Sequence, residues 1–482
     1  MGTDRDLGET RLYLVRYTGE VTTKGRGTRI QFLRRLESHV REGLESTGLP
    51  FEVDRQWSRM LVEAPPVAAE EILPRIFGVH SISPTVRREG TSLEGIVEAG
   101  TELFRSKVAG KLFAVRARRS GERKESFRSG DVNRALGSSL LPFAEGVDLE
   151  EPEIVVRVEI RNGSAYFFEE KIPGPGGLPL GCEGPALALV SGGFDSAVAS
   201  WAMLRRGARL DYLFCNLGGA KHRQGALQVM KLIADRWSHG SEPRLHEVDL
   251  RPLVEELRER CRSRYWQILL KRLMLHAGNH LARELRSEAL VTGEVLGQVS
   301  SQTLRNLRVI SEVAELPVLR PLAGRDKDEI VDLARRIGTY DLSAEVPEFC
   351  ALDASKPATR ARPGDVRKEE EKLDLGSIAE AVEAREVFDL RSLDASTLGI
   401  ADLGVETPPP DARIVDVRSR TGFDAWHLPG AEHVEYFAAL DGLDRFQGDR
   451  PVVFYCEVGL KSAHLAELLR DRGIEAYHFE AG

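Results

Sequence analysis

The chain has 482 residues, 42% hydrophobic and 29% charged, with a formal net charge of −8. That is too long for one core; at ~150 residues per domain it suggests three or four domains of ordinary soluble composition. No apolar run approaches the ~20 residues of a membrane span, and the opening MGTDRDLGET lacks a signal-peptide core, so a cytoplasmic protein without a membrane partner is expected.

The five cysteines (Cys182, Cys215, Cys261, Cys350 and Cys456) are odd in number, scattered and free of any Cys-x-x-Cys pair. A secreted disulfide framework, a zinc ribbon and an ordinary iron–sulfur site all lose support, and the eleven histidines form no ligand-spaced cluster. No protein-held metal site is expected.

In chain order, RLYLVRYT reads as a strand, RIQFLRRLESHVREGL as an amphipathic helix and FEVDRQWSRMLVEA as a hairpin, together a small α+β unit over 1–72. A second unit over 73–171 has KLFAVRARRS and PEIVVRVEIR as its clearest strands. Between Arg105 and Arg128 it concentrates nine Lys/Arg against two Glu. Such a run is either a solvated face or a phosphate-binding surface, and Arg116, Arg118 and Arg119 are its candidates for RNA contact. IPGPGGLPLG, 172 to 181, reads as a linker.

Over 183–390, the strands ALALV, LDYLFCNL, RLHEVDL and EALVTGE alternate with helical stretches, which predicts a doubly wound parallel sheet. A second linker, GIADLGVETPPPDA, leads to a small α/β unit over 410–482 with strands ARIVDV and PVVFY, a terminal helix and a last short strand.

Two strand-to-helix loops carry the chemistry. In LALVSGGFDSAVAS, Gly192 and Gly193 let the backbone approach an anion at a helix N-terminus, and Ser191 and Ser196 add hydroxyls. The Walker pattern is absent. In FYCEVGLKS, Cys456 heads a loop whose N–H groups and helix dipole can converge on one thiolate, with Lys461 adding charge. The other expectation for a lone cysteine, a small buried hydrophobe, fits Cys182, Cys215 and Cys261 better.

SGGFDS resembles the PP-loop ATP pyrophosphatases. That resemblance implies ATP with Mg2+, pyrophosphate on Ser191–Ser196, and Leu189 and Val190 bordering the adenosine. Asp195 would organise the magnesium–pyrophosphate or the transition state; read from the residues alone, it is equally a helix N-cap. With LLKRLM (Lys271), VTGEVLGQVSSQT (Gly293, Glu294, Gln298, Gln302) and RPLAGRDKDEI (Arg320, Lys327), the chain resembles the tRNA 4-thiouridine synthetases. GEVTTKGRGTRIQF resembles that family's ferredoxin-like domain, and FGVHSISP with FAVRARRSGERKESFRSGDVNRALG its THUMP RNA-binding domain. IVDVRSRTGFDAWHLPGAEHV, with Asp416 and Arg418, and CEVGLKS resemble a rhodanese domain, Trp426 standing where that pattern usually has glycine.

The resemblance implies adenylation of uridine 8 of tRNA, sulfur carried as a persulfide on Cys456, and 4-thiouridine as product. Implied partners are tRNA, a cysteine desulfurase as sulfur donor and a thiamine sulfur-carrier protein, with a homodimer left open. Either the persulfide attacks C4 and a second thiol cleaves the adduct, or that thiol first releases sulfide. Cys350, in the family-like VPEFC, is the second thiol this implies, through a Cys350–Cys456 disulfide. Two rivals are a sulfur-carrier or RNA adaptor without adenylation, and an amide-forming PP-loop ligase. The intact loop with Lys271 and Lys327 opposes the first, the two flanking domains the second.

Overall fold

The computed structural model describes residues 9–90, 92–120, 127–346, 356–393, 403–405, 407–418, 420–448, 450–456 and 460–480. The chain divides into two compact units, Met1–Leu180 and Gly181–Gly482.

The first unit is built on one nine-stranded sheet. Its strands are β1 (Arg11–Tyr17), β2 (Glu52–Arg55), β3 (Arg59–Ala64), β4 (Val79–Glu89), β5 (Leu112–Arg119), β6 (Gly146–Val147), β7 (Ile154–Arg161), β8 (Ser164–Phe168) and β9 (Ile172–Pro173). They run in the order β2-β3-β1-β4-β8-β7-β5-β6, with β9 on β4. The eleven-residue β4 joins the halves: Val79–Thr85 pairs with β1 and Val86–Glu89 with β8. The two units expected over 1–72 and 73–171 therefore share a sheet through one strand. Side chains alternate along β7. Val156, Val158 and Ile160 enter a core with Phe104, Val132 and Leu136 from the helices Leu93–Phe104 and Ser129–Leu140. Arg157, Glu159 and Arg161 face the other way.

The Gly/Pro stretch after β8 is more than a linker. Ile172 and Pro173 pair with β4, and the N–H groups of Gly174 and Gly176 donate to His80 and Val79. A Cβ at Gly174 would lie 2.4 Å from the Val79 carbonyl oxygen, so only glycine lets the chain run this close. Composition shows a chain able to turn; it does not show where the turning chain binds.

The second unit holds two sheets. The larger comprises β10 (Pro185–Val190), β11 (Arg209–Asn216), β12 (Arg244–Asp249), β13 (Leu290–Val291), β14 (Val318–Leu319) and β15 (Glu386–Asp389), ordered β14-β13-β10-β11-β12-β15. All pairs are parallel except β12–β15, an antiparallel edge the sequence did not suggest. From β10 the chain winds outward through β11 and β12, then returns to the other side of β10 as β13. That reversal makes a crevice between the carboxyl ends of β10 and β13, where ligands bind in such sheets.

The smaller sheet has β16 (Gly404–Val405), β17 (Arg413–Asp416), β18 (Glu432–His433), β19 (Val452–Cys456) and β20 (Ala476–Glu480), all parallel, ordered β16-β20-β19-β17-β18. Its edge strand β16 lies within the stretch read as the second linker. Among the described residues, no helix is long and apolar enough to cross a membrane.

Candidate active sites and nucleic-acid surface

β10 ends at Val190, and the loop Ser191–Gly193 turns into the helix Phe194–Arg205. The loop is held from three sides. The Ser191 N–H donates to Ser196 Oγ (3.3 Å), whose own O–H donates to the Gly193 carbonyl (3.0 Å). Ser196 therefore braces the loop from within. Gly192 has φ +81°, and a Cβ there would meet Ala226 of the helix Gly219–Trp237 at 3.0 Å. Across the crevice, a Cβ at Gly293 would lie 2.7 Å from the Asp195 carbonyl carbon and 2.8 Å from the Ser196 nitrogen. Both positions need glycine for contact, and Gly192 also for its left-handed backbone.

The helix N-cap is Gly193, and no side chain caps it, so Asp195 does not serve that role. Asp195 Oδ2 instead accepts from Gln298 Nε2 at 3.0 Å. Gln298 and the buried Gln302 each carry an amide oxygen without a partner among the described residues. Such atoms suit a site that a ligand completes.

Lys271 on the helix Trp266–Leu285 donates to Glu294 Oε1 (2.8 Å), and Arg320 and Thr292 donate to Glu294 Oε2 (2.7 and 3.1 Å). Burial pushes the Glu294 carboxyl up, but the two cations outweigh it and hold it below its usual range. An ammonium has three donors, so Lys271 keeps capacity for a phosphate beside this pair. Leu189 is half-buried at the strand end. Lys327 is exposed at the first position of the helix Lys327–Ile337, which packs on Phe194–Arg205, and is not brought into this hydrogen-bond network.

His222 was missed by sequence reasoning. It stacks edge-on to Phe214 at 4.7 Å and bonds the Ser191 backbone; burial pushes it down to about 4, against that bond's upward pull. A lone histidine without ligand spacing gives no sequence signal.

Cys456 ends β19 and is 1% exposed, its Sγ 3.5 Å from Ser462 Oγ. Residues 457–459, which follow it, are outside the described residues. The fully buried Asp416 accepts from the Arg418 N–H (3.0 Å) and guanidinium (2.7 Å). Arg418 lies over both Trp426 and Tyr455 and donates to the Trp426 carbonyl. Trp426 thus adds a ring to the Arg418 stack. Lys461 lies over the Tyr436 ring, 5.8 Å away.

Cys215 and Cys261 are core residues, whereas Cys182 is half-exposed, so only two of the three fit the reading as buried hydrophobes. Cys350 lies outside the described residues.

Of the basic run, Arg116 donates to the Leu149 carbonyl (3.3 Å) and Arg119 to that of Phe127. A denser cluster lies on the face of the first sheet opposite its helices. Arg16 from β1, Arg59 from β3 and Arg161 from β7 surround Glu159, with Arg16 Nε at 3.7 Å and Arg59 Nε at 2.9 Å from it. Arg118, Arg157 and Lys171 add further positive charge. Burial, with like charge from Arg59, Arg157 and Arg118, lowers Arg16 to about 10 although Glu159 opposes the fall. Arg16 Nη2, Arg157 Nε, and Arg161 Nε and Nη1 have no partner among the described residues. Arg16, Arg59 and Arg161 come from three strands far apart in sequence, and Arg118 brings the basic run to the same cluster.

Family models match along the chain: a ferredoxin-like domain at residues 12–83, a THUMP domain at 90–168, the thiamine biosynthesis protein ThiI at 181–375 and a rhodanese-like domain at 401–482. A 4-thiouridine synthetase solved as an RNA complex with bound ATP is similar at TM-score 0.68 and 31% identity, over 79% of this chain and 99% of its own. The tRNA sulfurtransferase of Thermoplasma acidophilum is 38% identical over 97% of this chain and 94% of its own length. That of Shewanella loihica is 34% identical over 97% and 98%. With such relatives spanning both units, the chain belongs to the tRNA sulfurtransferase family.

Proposed function

We propose that the enzyme adenylates uridine 8 of tRNA with ATP and replaces its C4 oxygen by sulfur carried on Cys456, giving 4-thiouridine. The observation that carries this reading is the loop Ser191–Ser196, closed by Gly293 at the switch point of a parallel sheet in the same chain as the Cys456 loop. The uridine O4 attacks the α-phosphorus and pyrophosphate leaves, held by the loop N–H groups and Lys271. Mg2+ would be carried in on the ATP phosphates and meet the Asp195 carboxylate.

Cys456 would take sulfur from a cysteine desulfurase as a persulfide. Its terminal sulfur attacks C4 and AMP leaves; a Cys350 thiolate then attacks the Cys456 sulfur, freeing 4-thiouridine and leaving a disulfide that a reductant resets. Alternatively Cys350 attacks first and hydrosulfide reaches C4. In support, Val346 packs against Gly192 and Gly225. Val346 stands four positions before Cys350 in the chain. The exposed Arg118 and Lys171, beside the buried arginines around Glu159, offer positive charge to RNA phosphates. A match to the thiamine biosynthesis model favours a second reading, adenylation and thiolation of a sulfur-carrier protein.

Single-turnover peptide mapping without reductant tests the route. A Cys350–Cys456 disulfide is expected, and Cys350→Ala should take up sulfur on Cys456 without thiolating RNA. Full multiple turnover in Cys350→Ala would remove that residue from the mechanism.

A further inference from the structure

The rhodanese-type sheet is seated on the larger sheet's domain by a specific polar contact. The helix Gly219–Trp237 begins at Gly218, which has no side chain to cap it. Asn216 Oδ1 accepts from the Gly218 and Gly219 N–H groups at 3.0 and 2.9 Å. The next N–H, that of Ala220, donates to Glu467 Oε2 at 2.7 Å. Glu467 belongs to the helix Leu460–Asp471, which starts in the Cys456 loop and packs against Gly219–Trp237. A carboxylate at a free helix N-terminus gains both from the hydrogen bond and from the helix dipole.

The position of this contact gives it meaning. Gly219–Trp237 backs the nucleotide loop: Ala226 is in contact with Gly192, and His222 bonds the Ser191 backbone. It follows β11, the strand beside β10, and so begins at the carboxyl edge where that loop lies. The next strand, β12, ends at Asp249, whose carboxylate binds Arg251 at 2.9 Å, and the helix Arg251–Arg260 follows. Tyr436 shares a core with Cys456; burial pushes its hydroxyl up, and it lies close enough to Arg258 and Arg251 for their charges to oppose that rise. Tyr436, and Cys456 in the same core, therefore lie near the helix start that follows β12.

We propose that Glu467 is a positioning residue: its contact with the N-terminus of Gly219–Trp237 seats the rhodanese-type domain at the nucleotide edge of the sheet, and sulfur is delivered from this seat. The proposal rests on Cys456 as the sulfur carrier. It assigns to the two helix starts that follow β11 and β12 the role of a docking platform within the chain. Glu467 takes no part in loading Cys456 with sulfur, only in presenting it.

The test uses the full-length protein and the variants Glu467→Gln and Glu467→Lys, the first neutral and nearly the same shape, the second repelled by the helix dipole. Three quantities are read: sulfur uptake on Cys456 from cysteine and a desulfurase, single-turnover sulfur transfer to tRNA, and amide hydrogen exchange of the peptide carrying Ala220. Uptake should be unchanged in both variants, showing that each folds. Transfer should slow at least about tenfold in Glu467→Lys, the loss expected for a charge-assisted hydrogen bond. It should slow less in Glu467→Gln, with exchange at Ala220 rising in the same order. Unaltered transfer with faster Ala220 exchange would overturn the proposal, as would Ala220 exchange equally slow in Glu467→Lys. Wild-type Cys456 failing to take up sulfur would instead overturn the carrier reading.

Discussion

The strands β10 and β19 hold the same place in their two sheets and serve two ends. Each is a parallel strand with neighbours on both sides, and a helix follows its carboxyl end. After β10 the walls are backbone: Gly192 and Gly293 admit a neighbouring main chain where any Cβ would collide, and polar side chains tie the turn. After β19 the centre is a side chain, the buried Cys456 beside Ser462. A phosphate brings its own charge and needs a ring of donors; a carried sulfur needs one covalent attachment. The fold supplies the field, and one or two residues decide what occupies it.

The sharpest way to break the comparison is to disable each loop separately. Cys456→Ser should reduce tRNA thiolation at least about a thousand-fold, as loss of a nucleophile does, while ATP affinity stays unchanged. Gly293→Ala should do the reverse. Its methyl meets the Asp195–Ser196 peptide at 2.7–2.8 Å, an overpacking of about 1–3 kcal/mol, so ATP binding should weaken roughly ten- to a hundredfold. Sulfur uptake on Cys456 should survive. Equilibrium ATP binding and persulfide mass measurement separate the two.

A smaller effect is expected outside both loops. Arg118→Gln, at the exposed side of the Glu159 cluster, should weaken tRNA binding without touching ATP binding or sulfur uptake, and should reduce the salt slope by about one counterion's share. A salt titration of tRNA affinity reads this directly. An unchanged slope would leave that cluster a purely structural network.

The smallest effect is the dependence on pH. His222 is held neutral by burial, which lowers it from the ordinary 6.5 to about 4. Its contribution to stability is complete above the unfolded value and is lost as pH falls from there through the folded one. Thermal stability should therefore decline between pH 6.5 and 4 by more in the wild type than in His222→Gln. The nucleotide loop, bonded to His222 through Ser191, should loosen in the same window.

Much of this was legible in the sequence, for identifiable reasons. The β10 loop could be read because its glycines and serines are contiguous, and Cys456 because strand, cysteine and helix follow one another. Gly293 was visible as a residue, but its fit against Asp195 spans a hundred positions and needs the strand order. The Arg16–Arg59–Glu159–Arg161 cluster was illegible because β1, β3 and β7 are far apart in sequence and only the strand order brings their charges together. Composition likewise misjudged the Gly/Pro stretch: Gly174 lies against Val79 because it lacks a side chain, and that partner is far away in sequence.

The most direct test of the central claim is mass spectrometry of tRNA nucleosides after incubation with ATP, magnesium, isotopically labelled cysteine and a desulfurase, with adenine nucleotides quantified in the same tube. The account predicts labelled 4-thiouridine at position 8 with one AMP formed for each residue converted, and neither product in Asp195→Ala. Thiolation accompanied by ADP, or proceeding normally in Asp195→Ala, would contradict it.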